Sequence, residues 1–137
     1  MNRRPISAFA ILTVFVFCST AVTPQSQPGM SRDACEEYTK SYAGMNKVYN
    51  RILAEYKGDP LFIERLKKAQ RAWLAFRHAH LESIYPDPDP TAYGSVNTVC
   101  QCRILEELTT RRTKELQRWI DGTKEGDVCA GSVKWKK

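Results

Sequence analysis

The sequence predicts an all-α protein: a three-helix, up-down-up bundle with a disulfide-pinned C-terminal tail. Three observations predict it. Large residues recur at steps of three and four through three long segments. Each segment is closed by Gly or Pro, the residues that stop helices. Nowhere do apolar and polar residues alternate as a half-buried strand requires.

Before the first helix, residues 1–21 have the layout of a secretory signal peptide. Asn2-Arg3-Arg4 is a basic start, Ile6 to Cys18 is apolar, and Ser19-Thr20-Ala21 places small residues ahead of a cut after Ala21. The apolar run is too short for the roughly 20 residues a membrane-spanning helix needs, so no stable span is expected after cleavage. Bulky Val16 and Phe17 argue against a lipid anchor on Cys18. The expected location is the periplasm or the outside of the cell. Residues 22–30, polar and Pro-containing, read as a flexible leader, and residues 31–137 as a single helical domain. The net charge of +6 falls to +4 once Arg3 and Arg4 are removed. That excess is scattered along the chain, not arranged in the dense stripe that a nucleic-acid interface needs.

The first helix carries Cys35, Tyr38, Tyr42, Met45, Tyr49, Ile52 and Tyr56 on one stripe. Asp33 and Glu36 resemble a capping box at its start, and Lys57-Gly58 with Pro60 stops it. The second helix begins with Asp59 as N-cap and Pro60 in the first turn. Ile63, Leu66, Ala69, Trp73, Phe76 and Ile84 mark its apolar side, with Trp73 and Phe76 as core residues, and Pro86 ends it. The turn between these helices is so short that they must run antiparallel. The third helix is predicted from Asn97 or Thr98 to Asp121, with Val99, Cys102, Leu105, Leu108, Leu116 and Trp119 facing one way and Gly122 as the stop.

Four cysteines outlast the signal: Cys35, Cys100, Cys102 and Cys129. An even count in a short exported chain implies disulfides. In an up-down-up bundle the starts of helices one and three share an end, which makes a bond from Cys35 to Cys100 or Cys102 natural. Cys102 lies on the apolar stripe, favouring Cys35–Cys102 and Cys100–Cys129, although the pairing stays open. Helix three ends about 30 Å from Cys102. Either the tail runs back down the bundle nearly straight, pinned by a second disulfide, which is the favoured reading, or helix three ends early, or one cysteine stays free.

Arg77 and Arg112 interrupt apolar stripes, and Gln70 and Thr109 share their helical phase. These four read as a buried polar network joining helices two and three, because buried polar groups demand partners. His78 and His80 with Cys100 and Cys102 invite a zinc reading. Against it, residues two apart on a helix diverge, and an oxidising compartment favours disulfides. No metal, cofactor or catalytic constellation is expected. Between helices two and three, residues 86–95 (Pro-Asp-Pro-Asp-Pro-Thr-Ala-Tyr-Gly-Ser) form a stiffened, exposed loop. Asp87, Asp89 and Tyr93 are its candidate partner contacts, with Tyr93 an anchor of the kind enriched in hot spots.

Three blocks carry a resemblance over about residues 34–129. They are Met45-Asn46-Lys47-Val48-Tyr49-Asn50-Arg51-Ile52-Leu53, Ala69-Gln70-Arg71-Ala72-Trp73-Leu74-Ala75-Phe76-Arg77, and Leu108-Thr109-Thr110-Arg111-Arg112-Thr113-Lys114-Glu115-Leu116. In this order they resemble the N-terminal domain of the LprI-type lysozyme inhibitors of bacteria. Two positions depart from that pattern: His78 stands where the family has Asp, and Leu81 where it has Cys. The resemblance implies an exported bacterial binding protein, not an enzyme, with a lysozyme as its partner and steric block as its mechanism. The alternatives are a structural or stress-related envelope protein without lysozyme activity, and a periplasmic metal-binding protein.

Overall fold

The computed structural model describes residues 26–89 and 91–136. The signal-peptide reading of residues 1–21 lies outside them. Three helices are present: α1 (Gln27–Glu55), α2 (Pro60–Ile84) and α3 (Asn97–Asp121). Helix α1 begins earlier than the Asp33–Glu36 reading expects. Ser26 is its extended N-cap residue, Pro28 sits in the first turn, where proline costs no hydrogen bond, and the Met30 amide donates to the Ser26 carbonyl. Residues 27–30, read as part of an irregular leader, are thus helical. Glu36 does not cap the helix but pairs with Lys40 one turn on.

The predicted stripe of α1 faces inward along its whole length. Met45, Ile52 and Tyr56 are buried, and Tyr38, Tyr42 and Tyr49 are half-buried. Helix α2 starts as expected: the Phe62 amide donates to the Asp59 carboxylate at 2.9 Å. Its inner face, however, is rotated from the predicted one. Phe62, Leu66, Gln70 and Arg77 are buried, with Trp73 half-buried beside them, whereas Ala69, Phe76 and Ile84 are exposed. The expectation that Phe76 is a core residue is therefore corrected: its ring is 53% exposed and stacks on His80. The apolar stripe misleads here because the neighbouring positions that do turn inward hold Gln and Arg.

Contacts fix the helix directions. At one end, here the lower, Cys35 of α1 is bonded to Cys102 of α3, and Arg77 near the end of α2 reaches Tyr38 and Tyr42 of α1. At the upper end Phe62, in the first turn of α2, packs its ring on Tyr56 and Trp119, at the ends of α1 and α3. The path is up, down, up. The backbones of α1 and α3 run close together, whereas that of α2 stands farther off. The core is Met45, Ile52, Tyr56, Phe62, Leu66 and Leu116.

The Cys35–Cys102 disulfide spans 67 positions of chain, with the Cα atoms 5.0 Å apart. The second expected bond is absent, since Cys100 and Cys129 are both free thiols. The tail does not run back down the bundle; it coils over the upper end. The Thr123 amide donates to the Lys134 carbonyl, and the Lys136 amide donates to the Thr123 carbonyl, so that Trp135 lies beside Thr123. Gly122 makes this return possible. Its φ is +70°, and a Cβ there would meet the Lys134 carbonyl oxygen at 2.9 Å. Tyr56 fastens the tail to the bundle: its hydroxyl donates to the Trp119 carbonyl and accepts the Lys134 amide. The Trp119 indole N–H donates to Ser132. These bonds hold the tail at the top, leaving Cys129 at the opposite end of α3 from Cys100.

Candidate partner-binding end of the bundle

The lower end is formed by the start of α1, the end of α2, the connecting loop and the start of α3. The loop is ordered by its own polar groups. The Asp89 amide donates to the Asp87 carboxylate, and the amide and hydroxyl of Thr91 both donate to one oxygen of Asp89. These are the short-range bonds by which Asp holds a turn. The two donations from Thr91, the backbone one first, hold the Asp89 carboxyl below its usual range. Both aspartates are exposed.

Tyr93 has a structural part within the loop. It is half-buried, its ring meets Tyr85 edge-on at 5.1 Å, and its hydroxyl accepts the Asp87 amide at 2.8 Å. It is the peg around which the loop is wound. Burial pushes the Tyr85 hydroxyl upward in pKa, and the Cys100 thiol beside it adds to the effect. The loop is thereby docked on the start of α3.

On α1 and α3 of the same end, Met30, Asp33, Ala34, Glu37, Arg103 and Glu106 line an open cleft of about 480 Å³. Together with the loop, this makes the lower end acidic. The level of Met45, Gln70 and Arg112 divides the molecule. Below it, segments 26–45 and 71–110 hold eight Asp and Glu against five Lys and Arg. Above it, segments 46–70 and 111–136 hold seven against thirteen. The modest overall charge conceals two ends of opposite sign. Sequence reading missed this, because charges that the fold gathers are scattered along the chain.

The predicted polar network divides into separate parts. Gln70 and Arg112 do join α2 to α3: the Arg112 Nε donates to the Gln70 side-chain oxygen at 3.1 Å, and Arg112 Nη1 donates to Glu115. The Gln70 amide nitrogen reaches the Met45 sulfur at 3.5 Å. Thr109 is buried, but its hydroxyl donates to the Leu105 carbonyl of its own helix. Arg77 stands apart from all three, 95% buried in an aromatic cage. Its guanidinium carbon lies 5.7, 5.2 and 5.4 Å from the ring centres of Tyr38, Tyr42 and Trp73. Its Nε and Nη1 are buried and meet no hydrogen-bond acceptor among the described residues. No carboxylate can serve it from the next position, which is His78.

The zinc reading loses a ligand, because Cys102 is committed to the disulfide and offers no thiolate. Among the described residues no three His, Cys, Asp or Glu side chains converge as a metal site, and no helix is long and apolar enough to cross a membrane.

The chain matches the family model described as Lysozyme inhibitor LprI over residues 18–116. That range takes in α1, α2, the acidic loop and α3 as far as Leu116, and leaves out the tail. The chain is also 30% identical over 115 residues to an uncharacterized protein of Rhizobium meliloti (strain 1021), covering 76% of this chain and 78% of that one. No solved structure matches it. The sequence blocks, the three-helix architecture and the family match agree: the chain belongs to the LprI lysozyme inhibitor family.

Proposed function

We propose that this protein is an exported inhibitor that binds a basic lysozyme through its lower end and blocks the enzyme's cleft sterically. The observation that carries the reading is the pre-ordered acidic loop, in which Asp87 and Asp89 are exposed and already held in their turns. A loop with little freedom left to lose binds at lower entropic cost. Its carboxylates complement the arginines and lysines of a basic enzyme, which favours encounter rate and orientation more than raw affinity. The positive net charge does not oppose this, since the excess lies at the far end. A basic enzyme approaching the protein is turned toward the acidic end.

Tyr93, Tyr85 and the Cys35–Cys102 bond have a supporting part: they hold the loop and the helix starts that flank it. The disulfide also suits an oxidising compartment, in keeping with export to the periplasm or beyond. Asp87 and Asp89 are the proposed contacts.

The test is lysis of peptidoglycan-exposed cells by a c-type lysozyme, followed with increasing amounts of the oxidised protein. Slowing of lysis is expected. The double variant D87N/D89N is expected to need about three- to tenfold more protein for the same slowing, with the difference shrinking at high salt. Undiminished lysis at large excess would remove the reading for that enzyme. Equal potency of wild type and variant would move the contact away from the loop.

A further inference from the structure

We infer that the upper end of the bundle is a docking surface for a bilayer rich in anionic phospholipid, so that the protein sits on a membrane with its acidic end directed away. This inference rests on the opposite end of the molecule from the lysozyme reading and stands or falls without it.

Two features coincide at the upper end. The first is charge: thirteen Lys and Arg stand against seven Asp and Glu, and the sequence adds Lys137 at the end of the tail. Several of these cations are not engaged within the protein. Among the described residues, Lys57, Lys67, Lys68 and Lys114 are exposed and form no ion pair, and Arg65 has only a 4.0 Å contact with its neighbour Glu64. Basic clusters of this kind are attracted to anionic headgroups and lose the attraction as salt rises.

The second feature is exposed apolar surface beside that charge. Leu61 in the first turn of α2 is 62% exposed, Val128 in the tail 97%, and Trp135 56%. Leu61, Arg65 and Lys68 recur at helical spacing on one outward stripe of α2. Trp135 is flanked by Lys134 and Lys136, Lys134 Nζ donates to the Glu55 carbonyl, and Ser132 and Lys134 share a cleft with Gly58 and Asp59, just before Leu61. An aromatic ring between lysines suits the boundary between headgroups and acyl chains. A soluble polyanion would use the cations and have no need of Leu61, Val128 or Trp135; a lipid surface uses both. Among the described residues no helix could span the membrane, so the contact is peripheral.

The experiment sediments the oxidised chain, purified from a periplasmic preparation, with vesicles of phosphatidylcholine alone or with about one-third phosphatidylglycerol. At low salt, about tenfold more protein is expected on the anionic vesicles, and the excess is expected to vanish at high salt. K67E/K68E is expected to bind about tenfold less, with unchanged circular dichroism and unchanged effect on lysozyme. Brominated acyl chains are expected to quench tryptophan fluorescence in wild type, and W135F to lose that quenching. Equal sedimentation with both vesicles, or undiminished binding of K67E/K68E, would overturn the inference. So would binding that brominated lipid does not quench and that soluble polyphosphate displaces, which would mark a general polyanion binder.

Discussion

The two ends of this bundle are closed by different chemistry. At the lower end a covalent bond joins α1 to α3, and a tyrosine-pegged loop folds its aspartates into turns. At the upper end no covalent link exists among the described residues: a glycine-hinged tail is held by the Tyr56 hydroxyl, the Trp119 indole and a few backbone bonds. The lower end is acidic and the upper end basic. The family match covers the lower end entirely but stops at Leu116, short of the tail. The family match thus takes in the covalently braced end, while the tail outside it is held by polar bonds that can be removed singly.

The largest expected effect comes from breaking the brace. Replacing Cys35 and Cys102 by Ser frees a loop of 67 positions and is expected to cost about 4 kcal/mol in urea unfolding. If the loss is below about 1 kcal/mol, the bond matters little to the folded state and the contrast between the ends weakens. At the other end, Tyr56→Phe removes one hydroxyl that serves both the Trp119 carbonyl and the Lys134 amide. About 1–2 kcal/mol is expected. Hydrogen exchange should quicken in residues 123–136 and not in the loop 86–95.

A smaller effect, of opposite sign, is expected at Arg77. A buried cation with two unserved nitrogens costs stability that the three aromatic rings only partly restore. Arg77→Met keeps the length and removes the charge, and is expected to stabilise the fold by about 1 kcal/mol. A destabilisation of that size would show that the cage is worth more than the missing hydrogen bonds.

The smallest effect is electrostatic and occurs once at each end. Asp89 is held below the usual range by the Thr91 amide and hydroxyl, and Asp127 by the Thr123 hydroxyl and the Cys129 amide. A carboxyl with a depressed folded pKa contributes stability above its unfolded pKa and loses it as pH falls through the folded value. Both contributions are therefore complete at neutral pH and disappear only in acid, below the ordinary Asp range. Carbon-detected NMR titration should find both midpoints low. Thr91→Ala should raise that of Asp89 alone, and Thr123→Ala that of Asp127 alone.

Much of the fold was legible from spacing and punctuation. The seven-residue stripe of α1, the Asp59 cap and the span of α3 were all readable, because each rests on local rules. The favoured Cys35–Cys102 pairing followed from helix direction and the apolar position of Cys102. What could not be read was decided across the structure. The inward face of α2 runs through Gln70 and Arg77 because Arg112 and an aromatic cage receive them, a tertiary reason that overrides the apolar pattern of Ala69 and Phe76. The tail path depended on Gly122 and Tyr56 rather than on Cys129. Of the candidate site, the acidic loop was visible as composition, but the inward role of Tyr93 needed the Asp87 amide to be placed.

The path of the tail leaves two sulfhydryls stranded. Cys100 opens α3, shielded beside Tyr85, and Cys129 lies past its far end, open to solvent. A 25-residue helix is about 37 Å long, so the pair cannot meet within one molecule. Among the described cysteines, oxidation of an isolated chain must therefore stop at a single bridge, and a second bridge from Cys100 or Cys129 to another of them has to join two chains. Cys129 should alkylate well before Cys100, and dimers on non-reducing gels should vanish with Cys129→Ser.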